Sequence, residues 1–339
     1  LSSKHPPIKP MAVSLGDPAG VGPELLAAAW YGRSVHALPA FCAIGGAGLL
    51  AQAAQCRRLD VPIARVGSLE EAARMFDRAL PVLGDFDGDY TPGEPDMTGA
   101  QLALDSLTMA SRLAVAGEAS ALITGPIAKS RLAEVGFDYP GQTEFVAAAA
   151  GVAAQDAVMM LAGPSLRTVP ITVHVALSAV PGLISTDLIV RRATIVAAAL
   201  ARDFGMARPR LAIAALNPHA GEDGRFGDED QRILAPAIAA LRAQRIEASG
   251  PHAADSLFAP RGRATFDVAL CMYHDQALIP IKALDFDHGV NITLGLPIIR
   301  TSPDHGTAFA IAGKGKADVG ATVAAIRLAA ECARSRASA

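Results

Sequence analysis

The chain has 339 residues, with 30 Lys and Arg against 33 Asp and Glu, a formal charge of -3, and only 5% aromatic residues. Balanced charge without a basic run argues against nucleic-acid binding, and so few aromatics argue against stacking platforms for single strands. The apolar runs are broken by charge or glycine before they reach bilayer length, and Leu1 to Pro7 lacks an apolar signal core and reads as a frayed tail, so a soluble, cytoplasmic protein of two lobes is expected.

Short β-rich runs alternate with alanine-rich stretches of helical period, the pattern of an α/β fold with a largely parallel sheet. Met11 to Leu15 reads as a strand, and Pro23 and Glu24 suit the first turn of the helix after it. Phe41 to Ile44 is a strand, Leu49 to Arg57 a helix, and Leu69 to Phe76 a short helix. A loop at Tyr90 to Pro95 leads to a long helix, Thr98 to Ala116. Ala121 to Thr124 is a strand, and Ser130 to Val135 a helix. Further helices are expected at Glu144 to Ala150, Thr186 to Phe204, Asp228 to Gln244 and from about Ala317 to Ala333. The four cysteines, Cys42, Cys56, Cys271 and Cys332, show no CxxC spacing and read as buried free thiols of a reducing compartment.

Three of the eight histidines stand where an apolar strand runs out: His174 after Val169 to Val173, His219 after Leu211 to Leu216, and His274 after Phe266 to Tyr273. Ligands of open α/β sheets bind outside the carboxyl ends of strands. Three imidazoles there would hold one metal ion and leave a coordination position open, as catalytic zinc sites do. Taken singly, each could instead be a hydrogen-bonded histidine at a loop start.

Gly46-Ala47-Gly48 with Ala51 fits a dinucleotide fingerprint, but Asp60 precedes the Val61 to Ile63 strand rather than following it, so the match reads as a decoy. Gly16 to Glu24 joins a strand to a helix start, where backbone amides could meet an anion or a cofactor, or simply make a tight turn. Thr124 to Lys129 repeats that logic. Near His274, the residues Lys282, Asn291 and Arg300 suit a phosphate or carboxylate. Asp275 and Asp255 are candidate general bases or orienting groups, with solvated loop aspartates as the plain alternative. Arg300 to Ala308, running on to Gly315, is too long for a hairpin and suits a loop wrapped around a ligand.

The blocks GDPAGVGPE (16–24), TGPIAK (124–129), PGQTEF (140–145), NPHAGEDGRFGDED (217–230), YHDQALIPIK (273–282) and GVNITLGLPIIRTSPDHGTAFAIAGKGKAD (289–318) resemble the 4-hydroxythreonine-4-phosphate dehydrogenase family of pyridoxal phosphate biosynthesis. The resemblance implies a two-lobed α/β/α fold like the isocitrate and isopropylmalate dehydrogenases. The cofactor-side domain would take residues 1–128 plus 300–339, and the metal, substrate and dimerisation domain residues 129–299. It implies a homodimer with shared active sites. It also implies a divalent metal on His174, His219 and His274, commonly zinc, with magnesium or cobalt as alternatives. Substrate contacts match Gln142, Thr143, Lys282, Asn291 and Arg300. The loop carrying His305, Gly306, Ala308 and Gly313 matches the adenosine-binding loop, which gives NAD or NADP a seat without a Rossmann fingerprint. The implied reaction is oxidation of the secondary hydroxyl of a small phosphorylated hydroxy acid, 4-phosphohydroxy-L-threonine, with decarboxylation of the product.

Where the family has histidine, this chain has Gln142; Ala277, Ala176 and Asp223 also depart from the pattern. These departures raise a paralogous dehydrogenase of threonate or erythronate 4-phosphate, or of an aromatic cis-dihydrodiol, as the alternative. A metal-dependent phosphatase or lyase would leave the 305–315 loop unexplained, and a non-catalytic sugar-phosphate sensor would not need the histidine set.

Overall fold

A computed structural model describes residues 8–338; the expected frayed tail, Leu1 to Pro7, lies outside the described residues. The chain forms two compact units, one running to Ala157 and resuming over Leu296–Ser338, the other Val158–Gly295. The strands in chain order are β1 (Met11–Ser14), β2 (Phe41–Ile44), β3 (Ile63–Val66), β4 (Leu80–Leu83), β5 (Leu122–Thr124) and β6 (Val158–Ala162). They continue with β7 (Arg167–Pro170), β8 (Arg210–Ala214), β9 (Glu247–His252), β10 (Val268–Cys271), β11 (Val290–Leu294) and β12 (Arg300–Pro303).

The first unit carries the order β3-β4-β2-β1-β5-β12, every pair parallel. β1, β2 and β4 are buried along their whole length. That is why they read as unbroken apolar runs rather than as alternations. The helix Met97–Val115 starts where the Asp96 carboxylate accepts the Gly99 amide at 2.7 Å. It buries Ala103, Leu107, Ala110 and Leu113, the spacing of one helical face.

The second unit carries the order β11-β6-β7-β10-β8-β9. β6 runs antiparallel to β11 and β7, while β7, β10, β8 and β9 are parallel. Its longest helix, Thr186–Phe204, has the bounds the sequence predicts. The Ser185 hydroxyl caps its start by accepting the Leu188 amide, and Gly205 ends it in a left-handed conformation, φ 66°.

The units divide at other places than the expected 128/129 and 299/300. Leu132, Phe137, Val146 and Ala147 pack into the same core as Leu107 and Leu113, so residues 129–157 go with the first unit. Leu296 and Ile298 join that core too. All four cysteines are free, as expected, but Cys56 is exposed. It ends the helix Ala47–Cys56, and its thiol reaches the Gly313 carbonyl. Burial pushes the Cys42 thiol up to about 12, so it stays protonated and inert. Among the described residues, no helix is long and apolar enough to cross a membrane.

Candidate active site

In the second unit β10 lies between β7 and β8, parallel to both. Their carboxyl ends therefore share one edge of the sheet, and His174, His219 and His274 follow those ends in sequence. The strands stop sooner than the apolar runs suggest, at Pro170, Ala214 and Cys271. Beyond them the exits are stitched together. The Ile171 amide donates to the Cys271 carbonyl at 2.7 Å. The Thr172 hydroxyl donates to the Met272 carbonyl at 2.7 Å. Gln276, a buried amide the sequence reading passed over, accepts from the Met272 amide and donates to the Ala215 carbonyl, both at 2.7 Å. It ties the exit of β10 to that of β8. His174 and His219 hold left-handed backbones, φ 51° and 53°. For a residue other than glycine such a conformation costs about 1–3 kcal/mol and persists only where its surroundings enforce it.

The rings of His174 and His274 stand 5.5 Å apart between centroids. Both line a cavity of about 250 Å³ together with Thr172, Leu177, Tyr273 and Asp275. The His274 Nδ1 lies 2.7 Å from the Asp275 Oδ1. A carboxylate there holds the proton on Nδ1 and leaves the Nε2 lone pair for a ligand. His219 stands beside Phe226, 6.2 Å between ring centroids, and does not line that cavity. Its loop is anchored by Asp230, which accepts from the amides of Leu216 and Asn217 at 2.8 and 3.1 Å. The structure thus pairs two imidazoles and leaves the third apart, at the same sheet edge. No three His, Cys, Asp or Glu side chains among the described residues are gathered closely enough to hold a metal ion. The donor chemistry of the histidine set suits zinc or cobalt, since imidazole is their ligand and magnesium prefers oxygen.

Asp275 is 69% exposed at its side chain and is engaged with His274. Asp255 is exposed on the short helix Ala254–Leu257, accepts its neighbour Ser256's amide, and does not line the cavity. Lys282 follows His274 on the helix His274–Asp285, its ammonium 5.8 Å from the centre of the Phe286 ring. Asn291 sits in β11 with its Oδ1 buried and unpaired among the described residues. Such an acceptor is costly unless something donates to it.

The first unit gathers the other polar group. β1, β5 and β12 are adjacent and parallel, so the loops after them, 16–22, 125–128 and 304–319, leave one sheet edge. The glycines of the first two loops are explained by close packing. A Cβ on Gly16 would lie 2.4 Å from the Pro126 carbonyl oxygen, and one on Gly125 2.5 Å from that of Leu15. Arg300 is buried in β12. Its Nη2 donates to Thr124 Oγ1 at 2.8 Å and to Gln142 Oε1 at 2.9 Å, and its Nη1 to Thr143 Oγ1 at 3.3 Å. Burial pushes the guanidinium down to about 10, against the Glu144 charge, so it remains a cation at neutral pH.

The 304–319 loop rests on the 16–22 turn: the Val21 amide donates to the Thr307 carbonyl at 2.9 Å. His305 donates from Nδ1 to the Gly306 carbonyl, and its buried Nε2 has no partner among the described residues. Gly306 is exposed. Ala308 holds φ 48°, and Gly313 holds φ 70° with Pro92 only 2.5 Å from where a Cβ would stand. The apparent fingerprint at Gly46 to Ala51 is occupied from within. The amides of Gly48 and Leu49 donate to the Asp87 carboxylate at 2.7 and 3.2 Å, and Arg65 pairs with it at 2.6 Å. Burial opposes that charge, but the Gly48, Gly88 and Leu49 amides and Arg65 outweigh it and hold Asp87 below the ordinary carboxylate range. The Gly48 and Leu49 amides at that helix start are therefore taken from within the chain.

The family model for the pyridoxal phosphate biosynthetic protein PdxA matches residues 37–329. A 4-hydroxythreonine-4-phosphate dehydrogenase of Erythrobacter litoralis (strain HTCC2594) is 60% identical over 98% of this chain and 99% of its own. Among solved structures, the 4-hydroxythreonine-4-phosphate dehydrogenase of Klebsiella pneumoniae aligns at a TM-score of 0.85, with 35% identity over 96% of this chain and 98% of its own. A terephthalate 1,2-cis-dihydrodiol dehydrogenase of Burkholderia xenovorans LB400 aligns at 0.63, with 29% identity over 95% of this chain and 97% of its own.

Proposed function

We propose that this chain, which belongs to the family of the pyridoxal phosphate biosynthetic protein PdxA, is a cytoplasmic dehydrogenase of 4-phosphohydroxy-L-threonine. The observation that carries the reading is 60% identity along almost the whole of a 4-hydroxythreonine-4-phosphate dehydrogenase. The dihydrodiol dehydrogenase is far less similar, at 29%, and this sets the paralogue alternative second.

In the proposed reaction the carbon bearing the secondary hydroxyl gives its hydride to NAD or NADP, and the hydroxyl gives its proton to a base. The product, 2-amino-3-oxo-4-phosphooxybutanoate, is a β-keto acid and loses carbon dioxide to give 3-amino-2-oxopropyl phosphate. A divalent metal, zinc or cobalt by donor chemistry, would be held by His174, His219 and His274 and would supply Lewis acidity toward the hydroxyl oxygen when bound. Asp275 sets the tautomer of His274. Asp275, Asp255 or a relayed water takes the proton. Thr143, Lys282, Asn291 and Arg300, with Gln142 beside them, are the substrate side. Arg300 is suited to an anion because a buried, oriented guanidinium binds a phosphate or carboxylate oxygen with little left to reorganise. The nicotinamide cofactor is assigned to the loop of His305, Gly306, Ala308 and Gly313.

A homodimer with shared active sites fits the exposed apolar side chains of the second unit, among them Leu177, Phe226, Ile279 and Phe286. The deciding experiment incubates the enzyme with 4-phosphohydroxy-L-threonine and NAD or NADP and follows nicotinamide absorbance. Erythronate 4-phosphate and a cis-dihydrodiol are run beside it. Reduction fastest with 4-phosphohydroxythreonine is expected. Faster turnover of another substrate establishes the paralogue, and phosphate release without nicotinamide reduction establishes a phosphatase.

A further inference from the structure

A cavity of about 20 Å³ lies where the adjacent strands β1, β5 and β12 end. Its polar lining comes from Ser14 at the end of β1, Thr124 at the end of β5, His305 just past β12, and Thr322 on the helix Gly320–Ser338. Ser14 and Thr124 are register partners on neighbouring strands, and Leu26 and Ile123 supply apolar wall. Two atoms facing this space are left unsatisfied. The Ser14 Oγ and the His305 Nε2 are both buried, and neither has a hydrogen-bond partner among the described residues. The two therefore do not reach each other, although each could satisfy the other. Buried polar groups of folded proteins are nearly all paired, directly or through ordered water.

The missing group has a definite chemistry. His305 donates from Nδ1 to the Gly306 carbonyl at 3.0 Å, so the neutral ring offers Nε2 as an acceptor. Thr124 Oγ1 accepts from the Arg300 Nη2 at 2.8 Å, which turns its own proton elsewhere. The Ser14 hydroxyl can both give and take a bond. The bridging group must donate to His305, accept from Thr124 and exchange a bond with Ser14. A bare cation can accept nothing, and it would meet the Arg300 guanidinium one hydroxyl away. An aprotic anion has nothing to donate. Water has both capacities, and it needs roughly 10–15 Å³ and two to four polar partners.

We propose that this cavity is a binding site for one structural water, which bridges Ser14, Thr124 and His305 and makes His305 a positioning residue of the 304–319 loop. The hydrogen bonds then run in a line from Arg300 through Thr124 and the water to His305. The site itself stands apart from any functional reading. Its effect rests on the proposed reading of the loop as the cofactor's seat: a loop pinned beforehand loses less freedom when the cofactor binds. His305 is only partly buried, so the rest of its ring remains available to that cofactor.

A crystal structure of the wild-type protein, at a resolution that shows ordered water, tests the site directly. One water is expected at about 2.7–3.2 Å from Ser14 Oγ, Thr124 Oγ1 and His305 Nε2. A direct bond between Ser14 and His305, or a cavity without density, overturns the proposal. Ser14→Val tests the effect, because it removes the hydroxyl, fills the space with a methyl and suits a strand. It should lose the water and raise the dissociation constant of NADH or NADPH, read by fluorescence titration, about fivefold. Ser14→Ala leaves the water two partners and should change that constant less than about twofold. Ser14→Cys, a milder filling by a weakly bonding thiol, serves if Ser14→Val does not fold. Water lost with cofactor affinity unchanged overturns the positioning role. Water in place, with no binding of NADH or NADPH by the wild type, instead refutes the cofactor reading of the loop and leaves the water site standing.

Discussion

The Asp275 carboxylate holds the His274 Nδ1 at 2.7 Å, one residue away in the chain and at the first turn of the helix His274–Asp285. Because the two are sequence neighbours, the contact cannot be tuned by distant packing, and it fixes which nitrogen faces the cavity. Orienting carboxylates of this kind raise ligand basicity, and removing one weakens metal affinity about 10–100-fold. Asp275→Asn should do so here, measured by competition of zinc or cobalt against a chromophoric chelator. An affinity equal to that of the wild type would remove Asp275 from this role and return it to the choice of general base.

His219 is the decisive member of the histidine set, because it shares the sheet edge with His174 and His274 but not their cavity. Metal analysis of His219→Ala should show bound metal lost, with circular dichroism retained. Full metal content in the variant would mean that the facing pair recruits a different third ligand.

The carboxyl-edge placement of the histidines was legible because parallel strands read as unbroken apolar runs and the residues after them are therefore exposed to notice. The same logic located the 16–24, 124–129 and 300–315 loops. The tertiary partners were not legible. Asp87 fills the helix start after Gly46 from a loop far along the chain, and nothing local marks it as a cap. Gln276 looked like one more polar residue in a polar block, yet it is buried and joins two strand exits. Gln142 could be read as a departure from a family pattern, but its partners are Arg300 and Gly125, which only folding brings to it. Residues 129–157 went to the wrong side of the division because composition carries no record of which core a short helix joins.

The proposed dimer should depend on the apolar residues that the second unit leaves exposed. Ile279 is 65% exposed and Phe286 is 72% exposed, and a buried glutamate in an interface is costly unless paired. Ile279→Glu with Phe286→Glu should shift sedimentation from dimer to monomer. Shared sites predict more. Inactive His274→Ala and Arg300→Met subunits, mixed and exchanged, should regain up to about a quarter of wild-type activity if each site draws these two residues from different chains. No recovery despite proven exchange would assign both residues to one chain.

Glu24 makes a prediction about stability rather than catalysis. The sequence places it in the first helical turn as a carboxylate facing the dipole, but its side chain is fully buried. Burial raises its pKa; the Arg57 charge and the Gly313 amide oppose this without reversing it. The Tyr90 hydroxyl, also buried, is pushed up as well, first by burial and then by the Glu24 charge. A carboxyl whose folded pKa lies above its unfolded value binds its proton more tightly when folded. Its stabilising contribution is whole below the ordinary value of 4.5 and is lost as pH rises through the raised one. Glu24→Gln cannot ionise, so its stability should not fall over that window. At pH 4 the two proteins should unfold alike, and at pH 7.5 the variant should melt higher by about 2 °C or more. Parallel pH profiles for variant and wild type would show that Glu24 carries none of the linkage, and that the buried carboxyl gains a partner in solution.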